Sequence, residues 1–356
     1  MAHPQNLSCV LYGPGKVRFE QRPLPVIADA HHVLVRIAYV GVCGTDVRFW
    51  THGGMIRTVS EDEPLVMGHE ASGVVHAVGP SVTRVRPGDR VVVEPGFPCH
   101  KCKLCLGGRY NLCPHMKFAA DPPQDGTLSC LYRVAEQYVF KIPSLLTLQE
   151  AVLVEPLSVA VHGARLSPLE PGRSILVQGS GTVGLLTAAT ALAFGAGPIF
   201  ISDINQAKLD FAKTFIECWT FVPDAALTPG ENAARFKKRT GQRDGVDIVF
   251  ECTGSEPAIQ TGLHALAAGG TFVQIGIGKS EQVLPLTLMC EKEVNFQSSF
   301  RYGPGDFDLA IRLLEAQKFS VKSFISSVFP FHKAAEAWEE TRQGRGVKNL
   351  IQVTGD

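Results

Sequence analysis

The chain has 356 residues, enough for two domains, and its 45% hydrophobic and 19% charged residues suit a globular protein. Lysine plus arginine and aspartate plus glutamate both number 34, so no basic excess points to nucleic acid. The longest apolar runs are too short to span a bilayer, and MAHPQNLSCV has neither the charged nor the apolar region of a secretory signal. These features predict a cytoplasmic protein that binds neither membranes nor nucleic acid.

The first third of the chain contains short runs of β-branched residues broken by glycine and proline. HHVLVRIAYVGVCG, DRVVVEPG and QYVFKIP are typical of short strands bounded by turns. From Pro171 apolar strands alternate with helices, beginning with RSILVQGSGTVGLLTAATALAFGA, which predicts βαβ units and a parallel sheet. From about Asn295 the first pattern returns. We therefore predict an α/β fold, with one mostly β domain (1–158 and 297–356) and one doubly wound parallel-sheet domain (159–296).

The segment GSGTVG fits the pattern G-x-G-x-x-G, directly after a predicted strand and at the start of a predicted helix. Its first glycine permits a tight turn, its second lets the backbone approach a pyrophosphate, and its third lets the helix lie close to the strand. Asp203 follows nineteen residues later, where a carboxylate binds ribose hydroxyls and repels a 2′-phosphate. We predict NAD rather than NADP; a purely structural glycine turn is the alternative. The predicted cofactor contacts are Gly179, Gly181, Thr182, Val183, Gly184, Asp203, Lys208, Thr253 and Gly276.

Four of the ten cysteines lie close together, with the spacing Cys99-x2-Cys102-x2-Cys105-x7-Cys113. In a cytosolic protein such a cluster favours a metal site over disulfides. Four thiolates form a closed tetrahedral zinc site that stabilises a loop and leaves no open position. A ferredoxin-like iron–sulfur run is the alternative, but its last gap has three residues rather than seven. Structural zinc is the favoured interpretation.

A second set of metal-binding residue types is spread over separate segments: Cys43 in GVCGTD, His69 and Glu70 in MGHEASG, and Glu155 in LVEPLSV. Each of these residues alone is more often part of a core than a ligand. A catalytic zinc needs about three protein ligands and one open position. Cysteine, histidine and glutamate can supply those ligands, so the set predicts a second, catalytic metal site.

These motifs, in this order and over nearly the whole chain, resemble those of zinc-containing medium-chain alcohol dehydrogenases. GHE and LVEPLSV resemble the polyol dehydrogenase branch, and GRYNLCPHMKFAADPPQDGTL resembles its xylitol dehydrogenases most, with sorbitol and L-arabinitol dehydrogenases close. The resemblance implies a GroES-like catalytic domain, a Rossmann NAD-binding domain, one catalytic and one structural zinc per chain, and a homotetramer. It implies NAD-dependent oxidation of a secondary alcohol of a small polyol. A zinc-free reductase of the same plan and a non-catalytic zinc-stabilised interaction protein are the rival interpretations.

The resemblance also implies roles for individual residues. Thr45 would relay the proton of the alcohol, and Glu155 would act as a base through a water molecule. Arg48, Phe49 and Asp121 depart from the usual polyol pattern, which affects which polyol fits but not the class of reaction. The implied catalytic zinc ligands, some of them through water, are Cys43, His69, Glu70 and Glu155. The implied substrate contacts are Phe49, Phe118, Glu155, Arg301 and Tyr302.

Overall fold

The computed structural model describes residues 5–54 and 57–355. The chain divides into two compact units. The first unit contains Met1–Glu155 and Gly303–Asp356, so it is built from both ends of the chain, and the second contains Pro156–Tyr302. The first unit is mostly β, and the second alternates strands with helices.

The elements are numbered in chain order. The strands are β1 (Gln5–Leu11), β2 (Val17–Pro23), β3 (His32–Gly41), β4 (Leu65–Val66), β5 (Glu70–Val78), β6 (Arg90–Val93), β7 (Gly96–Phe97), β8 (Lys117–Phe118), β9 (Leu131–Ala135), β10 (Val139–Lys141), β11 (Ile175–Gln178), β12 (Ile199–Ser202), β13 (Trp219–Phe221), β14 (Val246–Glu251), β15 (Leu266–Gln274), β16 (Asn295–Ser298), β17 (Ile325–Pro330) and β18 (Lys348–Gln352). The α-helices are α1 (Gly44–His52), α2 (Lys103–Leu106), α3 (Leu148–Ala151), α4 (Val154–Arg165), α5 (Thr182–Ala193), α6 (Gln206–Phe215), α7 (Pro229–Thr240), α8 (Glu256–Ala265), α9 (Leu286–Glu291), α10 (Asp306–Glu315) and α11 (Ala334–Arg342). Within the described ranges, no helix is long and apolar enough to cross a membrane.

The main sheet of the first unit has the strand order β10-β6-β5-β3-β18-β17, and β9 also pairs with β3. Strand β3 is rich in β-branched residues, and its Val33 and Ile37 are fully buried. Helix α11 contributes Trp338, which is fully buried in the same hydrophobic core. Because β3 lies between β5 and β18, the end of β3 is close to the starts of both neighbours. Cys43 follows β3 at this place.

The strands of the second unit form a sheet with the order β13-β12-β11-β14-β15-β16, in which all pairs of neighbours are parallel. This is the order of a doubly wound dinucleotide-binding sheet, whose ligand crevice opens where the strand order reverses, between β11 and β14. The alanine-rich helix α5 is buried over most of its length, since small side chains allow close packing. The predicted α/β fold is confirmed.

The limits of the second unit lie a few residues outside the predicted segment 159–296. Strand β16 pairs in parallel with β15, with Asn295 opposite Thr271. A boundary between residues 296 and 297 would therefore cut a hydrogen-bonded strand. The second unit instead begins at Pro156 and continues to Tyr302.

Candidate metal and nucleotide sites

The four cysteines of residues 99–113, here called the cysteine lobe, form one compact cluster of free thiols. The sulfur atoms lie 3.5 Å apart for Cys102–Cys105 and for Cys99–Cys113, 4.0 Å for Cys99–Cys105 and 3.9 Å for Cys102–Cys113. Four sulfurs at about 2.3 Å from one tetrahedral zinc would be about 3.8 Å apart. The cluster therefore fits a single tetrahedral ion, and its sulfurs are too close together to bind the separate irons of an iron–sulfur cluster.

The backbone of the cysteine lobe favours thiolates at some positions. Sγ of Cys102 accepts a hydrogen bond from the N–H of Cys105 at 3.5 Å, and Sγ of Cys113 accepts one from the N–H of Cys99 at 3.4 Å. Hydrogen bonds from backbone N–H groups, above all that of Lys101, lower the pKa of Cys99 to about 6. Burial raises the pKa of Cys105 to about 12. Four thiolates at this spacing repel one another, so a bound cation is needed to ionise all four together.

Tyr110 joins the cysteine lobe to the main sheet. Its hydroxyl donates a hydrogen bond to Oε1 of Glu94 at 2.5 Å, and Glu94 directly follows β6. Glu94 is 4% exposed, and burial raises its pKa to about 7. The charge of this carboxyl group therefore changes near neutral pH.

A second cluster consists of Cys43, His69 and Glu70. Cys43 is the N-cap residue of α1, His69 directly precedes β5, and Glu70 is the first residue of β5. One ligand atom from each lies within 4.8 Å of the other two. His69 and Glu70 are buried, and Cys43 is half-buried. A partly accessible group of thiolate, imidazole and carboxylate fits a zinc ion that retains an open position.

Asp46 belongs to this site, although the sequence analysis did not assign it a role. Its Oδ2 accepts a hydrogen bond from the N–H of Cys43 at 3.0 Å, which completes the capping box of α1. Its Oδ1 lies 3.6 Å from Nδ1 of His69. A carboxylate beside one ring nitrogen orients the other nitrogen towards a metal. An acidic residue three positions after an N-cap is a helix-start signal, so the contact with Cys43 could have been read from the sequence.

Burial and charge act in opposite directions on this pair. Burial works against a charge on His69, but the negative groups of Asp46 and Cys43 outweigh it and raise the pKa of His69 well above its usual value. Burial also raises the pKa of Asp46, and the nearby His69 opposes that increase. The pKa values of His69 and Asp46 therefore depend on each other and on the charges of neighbouring groups.

Lys348 is a second residue of the site that the sequence did not reveal. Its Nζ lies 2.9 and 2.7 Å from Oε1 and Oε2 of Glu70, and 3.1 Å from the carbonyl oxygen of Val42. The side chains of Lys348 and Glu70 are 3% and 2% exposed. These two residues are 278 positions apart in the chain, so no local pattern could have paired them.

Two of the predicted site residues lie beside this cluster, and a third packs in the hydrophobic core of the first unit. Oγ1 of Thr45 is 3.7 Å from Sγ of Cys43. The ring centres of Phe118 and His69 are 5.6 Å apart. Phe49 is 6% exposed and packs in the hydrophobic core of the first unit. The structure thus brings Thr45 and Phe118 beside Cys43 and His69.

The remaining predicted site residues lie further along the chain. Glu155 is in the first turn of α4 and is 7% exposed. Among the described residues, it is not in the group with Cys43 whose ligand atoms all lie within 4.8 Å. Arg301 and Tyr302 end the second unit. Arg301 has a φ of +57° and places its guanidinium 4.8 Å from the centre of the Phe300 ring, and Tyr302 is buried.

The three glycines of the fingerprint meet different surroundings. Gly179 has a φ of +94°, which a turn from β11 requires and which favours glycine. A Cβ on Gly184 would lie 1.9 Å from the carbonyl oxygen of Gly179, so only glycine lets α5 pack this closely. A Cβ on Gly181 would meet no atom within 4 Å. The protein itself does not require glycine at 181, but a closely approaching pyrophosphate would. Thr182 and Val183 form the first turn of α5.

Asp203 directly follows β12, and backbone and hydroxyl donors fix its carboxylate. Oδ2 accepts hydrogen bonds from the N–H and the hydroxyl of Ser180 at 2.8 and 2.9 Å, and Oδ1 accepts one from the N–H of Asn205 at 2.8 Å. Ser180 lies between the first two glycines of the fingerprint, so the carboxylate is tied to that loop. Lys208 is half-buried in the first turn of α6, where its N–H donates to Oδ1 of Asn205.

Thr253 and Gly276 follow the neighbouring parallel strands β14 and β15. The fully buried Glu251 accepts hydrogen bonds from the N–H groups of Thr253 and Gly254 at 2.8 Å. A Cβ on Gly276 would lie 2.3 Å from the nitrogen of Gly254, so backbone packing alone requires glycine there. Both segments lie at the carboxyl ends of strands, where open α/β sheets bind their ligands.

Comparison with known proteins agrees with this architecture. Residues 29–144 match the family profile of the alcohol dehydrogenase GroES-like domain, and residues 182–316 match that of zinc-binding dehydrogenase. The chain therefore belongs to the zinc-binding alcohol dehydrogenase family. The prediction of a zinc- and NAD-dependent dehydrogenase of this family is confirmed.

Individual relatives extend over almost the whole chain. The probable D-xylulose reductase A of Neosartorya fischeri is 47% identical over 350 residues, which cover 98% of this chain and 97% of that protein. The D-xylulose reductase A of Aspergillus niger is 47% identical over 347 residues, which cover 98% and 96%. A crystal structure of an Escherichia coli oxidoreductase of unknown specificity has a TM-score of 0.91 at 30% identity and covers 98% of this chain and 99% of its own.

Proposed function

We propose that this protein oxidises xylitol to D-xylulose with NAD⁺, and catalyses the reverse reduction. The observation that carries the proposal is the cluster of Cys43, His69 and Glu70, whose ligand atoms lie within 4.8 Å of one another. Relatives named D-xylulose reductase at 47% identity support the choice of substrate. Sorbitol and L-arabinitol are the alternative polyols.

Cys43, His69 and either Glu70 or Glu155 would bind the catalytic zinc, and the cysteine lobe (Cys99, Cys102, Cys105 and Cys113) would bind the structural one. The sulfur–sulfur distances of 3.5 to 4.0 Å support the second assignment. Zinc, when bound at Cys43, would supply a Lewis acid that stabilises negative charge on the alcohol oxygen. NAD⁺, when bound, would supply the hydride acceptor, and the protein would supply its position and the electrostatic field around it.

The alcohol must lose its proton for the hydride to leave, and the hydroxyl of Thr45 would relay that proton by accepting it and passing on its own. Its hydroxyl both donates and accepts hydrogen bonds, it is exposed, and it lies 3.7 Å from Sγ of Cys43. Glu155, a buried carboxylate, would act as the base. Asp46 would keep Nδ1 of His69 protonated, so that Nε2 remains available as a ligand.

The second unit would bind NAD⁺. Gly181 is the N-cap residue of α5, and the open space beside it supports placement of the pyrophosphate there, at the positive end of the helix dipole. The fixed carboxylate of Asp203 would accept hydrogen bonds from the ribose diol and repel the phosphate of NADP. Thr253 and Gly276 would lie along the cofactor, whereas Lys208 would contribute a positive charge nearby.

The polyol would be held by hydroxyl-binding side chains, Glu155, Arg301 and Tyr302, and by the rings of Phe49 and Phe118. The 5.6 Å contact between Phe118 and His69 supports the assignment of Phe118. Phe49 would act from the core, by shaping the pocket rather than by a hydrogen bond. A site that pairs buried polar groups with substrate hydroxyls rejects an analogue that lacks them.

We also propose that the protein is a cytoplasmic homotetramer. Strand β16 is an edge strand of its sheet, and it is mostly exposed. Large apolar side chains nearby in the chain are also exposed, among them Ile277, Val283, Leu286 and Phe300. An open edge with apolar neighbours supports sheet pairing with a second copy. Sedimentation equilibrium of the purified protein would give four chains per particle; a monomer would contradict the proposal.

Initial rates of NAD⁺ reduction on xylitol, sorbitol, L-arabinitol and ethanol test the function directly. We expect the highest kcat/KM on xylitol, and a value on ethanol at least about 100-fold lower, because ethanol leaves buried polar groups unpaired. Equal kcat/KM on ethanol would contradict the polyol assignment. Failure to bind NADH would instead favour a non-catalytic, zinc-stabilised interaction protein.

A further inference from the structure

Polar residues form a row at the carboxyl ends of three neighbouring strands of the second unit. Glu251, the last residue of β14, pairs with Gln178 of β11 on one side and with Gln274 of β15 on the other. Residues that lie opposite one another in neighbouring strands share a face of the sheet. Glu251 is the ionisable member of this row, it lies in the middle, and it is fully buried.

Four uncharged groups donate hydrogen bonds to the carboxylate of Glu251. Oε1 accepts from the N–H of Thr253 at 2.8 Å and from its hydroxyl. Oε2 accepts from the N–H of Gly254 at 2.8 Å and from Nε2 of Gln274 at 2.7 Å. Among the residues that the structure describes, no lysine, arginine or histidine forms an ion pair with Glu251. Hydrogen bonds therefore satisfy this buried carboxylate, but no positive side chain cancels its charge.

The amides on both sides of Glu251 add to the excess of acceptors. Nε2 of Gln178 donates to the carbonyl oxygen of Ala258 at 2.6 Å, and Nε2 of Gln274 also donates to that of Gly276 at 2.7 Å. The side-chain oxygens of both glutamines are buried and have no hydrogen-bond partner within the described ranges. The row therefore presents a carboxylate between two unpaired amide oxygens, so the electrostatic potential at this edge of the sheet is negative.

The position of Glu251 in the sheet relates this charge to one half of the cofactor. A doubly wound sheet binds one mononucleotide on each side of the point where the strand order reverses, here between β11 and β14. Asp203, which would bind the adenosine ribose, follows β12 in the first half. The half that begins with β14 is therefore left for the nicotinamide nucleotide, and Glu251 ends that strand. Its carboxylate also fixes the loop of Thr253, and its carbonyl oxygen accepts from the N–H of Gly276 at 2.9 Å.

The two forms of the cofactor differ in charge at the nicotinamide ring, which is positive in NAD⁺ and neutral in NADH. A negative charge close by attracts the positive ring and gains nothing from the neutral one. Solvent and salt screen a buried charge much less than an exposed one, so the attraction extends over several ångströms.

We propose that Glu251 is a positioning residue whose buried charge makes the protein bind NAD⁺ more tightly, relative to NADH, than an uncharged side chain would. The inference rests on the proposed nucleotide site. Glu251 acts through the electrostatic field and through the loops that it fixes. The form of the cofactor that it favours is the one with which oxidation of an alcohol begins.

Dissociation constants of NAD⁺ and NADH, measured on the zinc-loaded protein without a polyol, test this charge. NADH fluorescence gives one constant, and competition of NAD⁺ against NADH gives the other. In Glu251→Gln the charge is lost at nearly constant size, so we expect the ratio of Kd for NAD⁺ to Kd for NADH to rise at least about threefold. Damage to the loops alone would weaken both forms by the same factor. An unchanged ratio in the folded variant would overturn the proposal.

Two changes at Gln274 test the same charge while Glu251 and its backbone donors stay in place. Gln274→Lys brings an ammonium group to the region of Oε2, where the amide nitrogen now lies 2.7 Å away, and so neutralises the carboxylate. Gln274→Met has a similar length and loses the same amide, but adds no charge. We expect the ratio to rise at least about threefold in the lysine variant and to stay unchanged in the methionine variant. Equal ratios in these two variants would overturn the proposal, and this pair decides if Glu251→Gln does not fold.

Failure of the underlying proposals gives different results. If the unchanged protein binds neither NAD⁺ nor NADH, the nucleotide site is wrong and the role of Glu251 is wrong with it. If the ratios change as expected but no polyol is oxidised, the role of Glu251 stands and the assignment of the substrate is wrong, because binding is measured without a polyol.

Discussion

Gly184 and Gly181 have different surroundings, so we expect an alanine at each position to have a different effect. In Gly184→Ala the new methyl group would lie 1.9 Å from the carbonyl oxygen of Gly179. That oxygen cannot retreat easily, because the N–H of Gly179 is bonded to the carbonyl oxygen of Ser202 at 2.7 Å. Helix α5 must therefore move by roughly 1 Å, and such overpacking costs about 1–3 kcal/mol.

In Gly181→Ala the methyl group would meet no protein atom within 4 Å. We expect its free energy of unfolding to stay within about 0.5 kcal/mol of the unchanged protein. The same methyl group would occupy space that the pyrophosphate needs, so we expect NADH to bind at least about tenfold more weakly, a loss of about 1.4 kcal/mol.

Urea unfolding without cofactor and NADH fluorescence titration measure the two effects separately. We expect a lower urea midpoint for Gly184→Ala only, and weaker NADH binding by Gly181→Ala with an unchanged midpoint. Equal loss of stability in both variants would refute the argument from packing. Unchanged NADH affinity in Gly181→Ala would refute the placement of the pyrophosphate.

Three further predictions concern other parts of the protein. Asp203→Ser should lower the ratio of kcat/KM with NAD⁺ to that with NADP⁺ by at least about tenfold, because the repelling charge is lost; an unchanged ratio would remove Asp203 from cofactor choice. Cys105→Ser should reduce zinc by one per chain, as measured by mass spectrometry, whereas Cys130→Ser, which changes a cysteine outside the lobe, should not. The raised pKa of Glu94 means that the folded protein holds a proton which the unfolded chain releases from about pH 4.5, so this residue's contribution to stability is lost as pH rises to about 7. Glu94→Gln removes that loss, and its unfolding free energy relative to the unchanged protein should rise by about 2–3 kcal/mol from pH 5 to pH 8; a constant difference would contradict the raised pKa.

Local sequence patterns predict most of the candidate site residues. The cysteine lobe and the glycine fingerprint each lie within one short segment, so the spacing of their cysteines and glycines reflects the steric requirements of a single loop. Strands alternating with helices likewise indicated the parallel sheet. For the same reason Asp46 could have been found, since it caps the helix that Cys43 begins.

Contacts between distant segments could not be read in this way. Lys348 meets Glu70 only because β18 pairs with β3, which also pairs with β5. A buried lysine in KNLIQVTG has the same local pattern as an exposed one, and a single sequence gives no pairing of strands. The end of the second unit was misplaced for a related reason, because NFQS forms a strand with β15 rather than with the β-rich first unit.

The amount of zinc per chain should be measured on the same sample as xylitol-dependent NAD⁺ reduction, because the proposed reaction requires both the metal site and the polyol activity. We expect two zinc ions per chain, with a clear preference for xylitol over sorbitol and L-arabinitol. One zinc per chain with full activity would mean that the cysteine lobe does not bind metal, because the reaction needs the zinc at Cys43. Two zinc ions without activity on any polyol would contradict the proposed reaction.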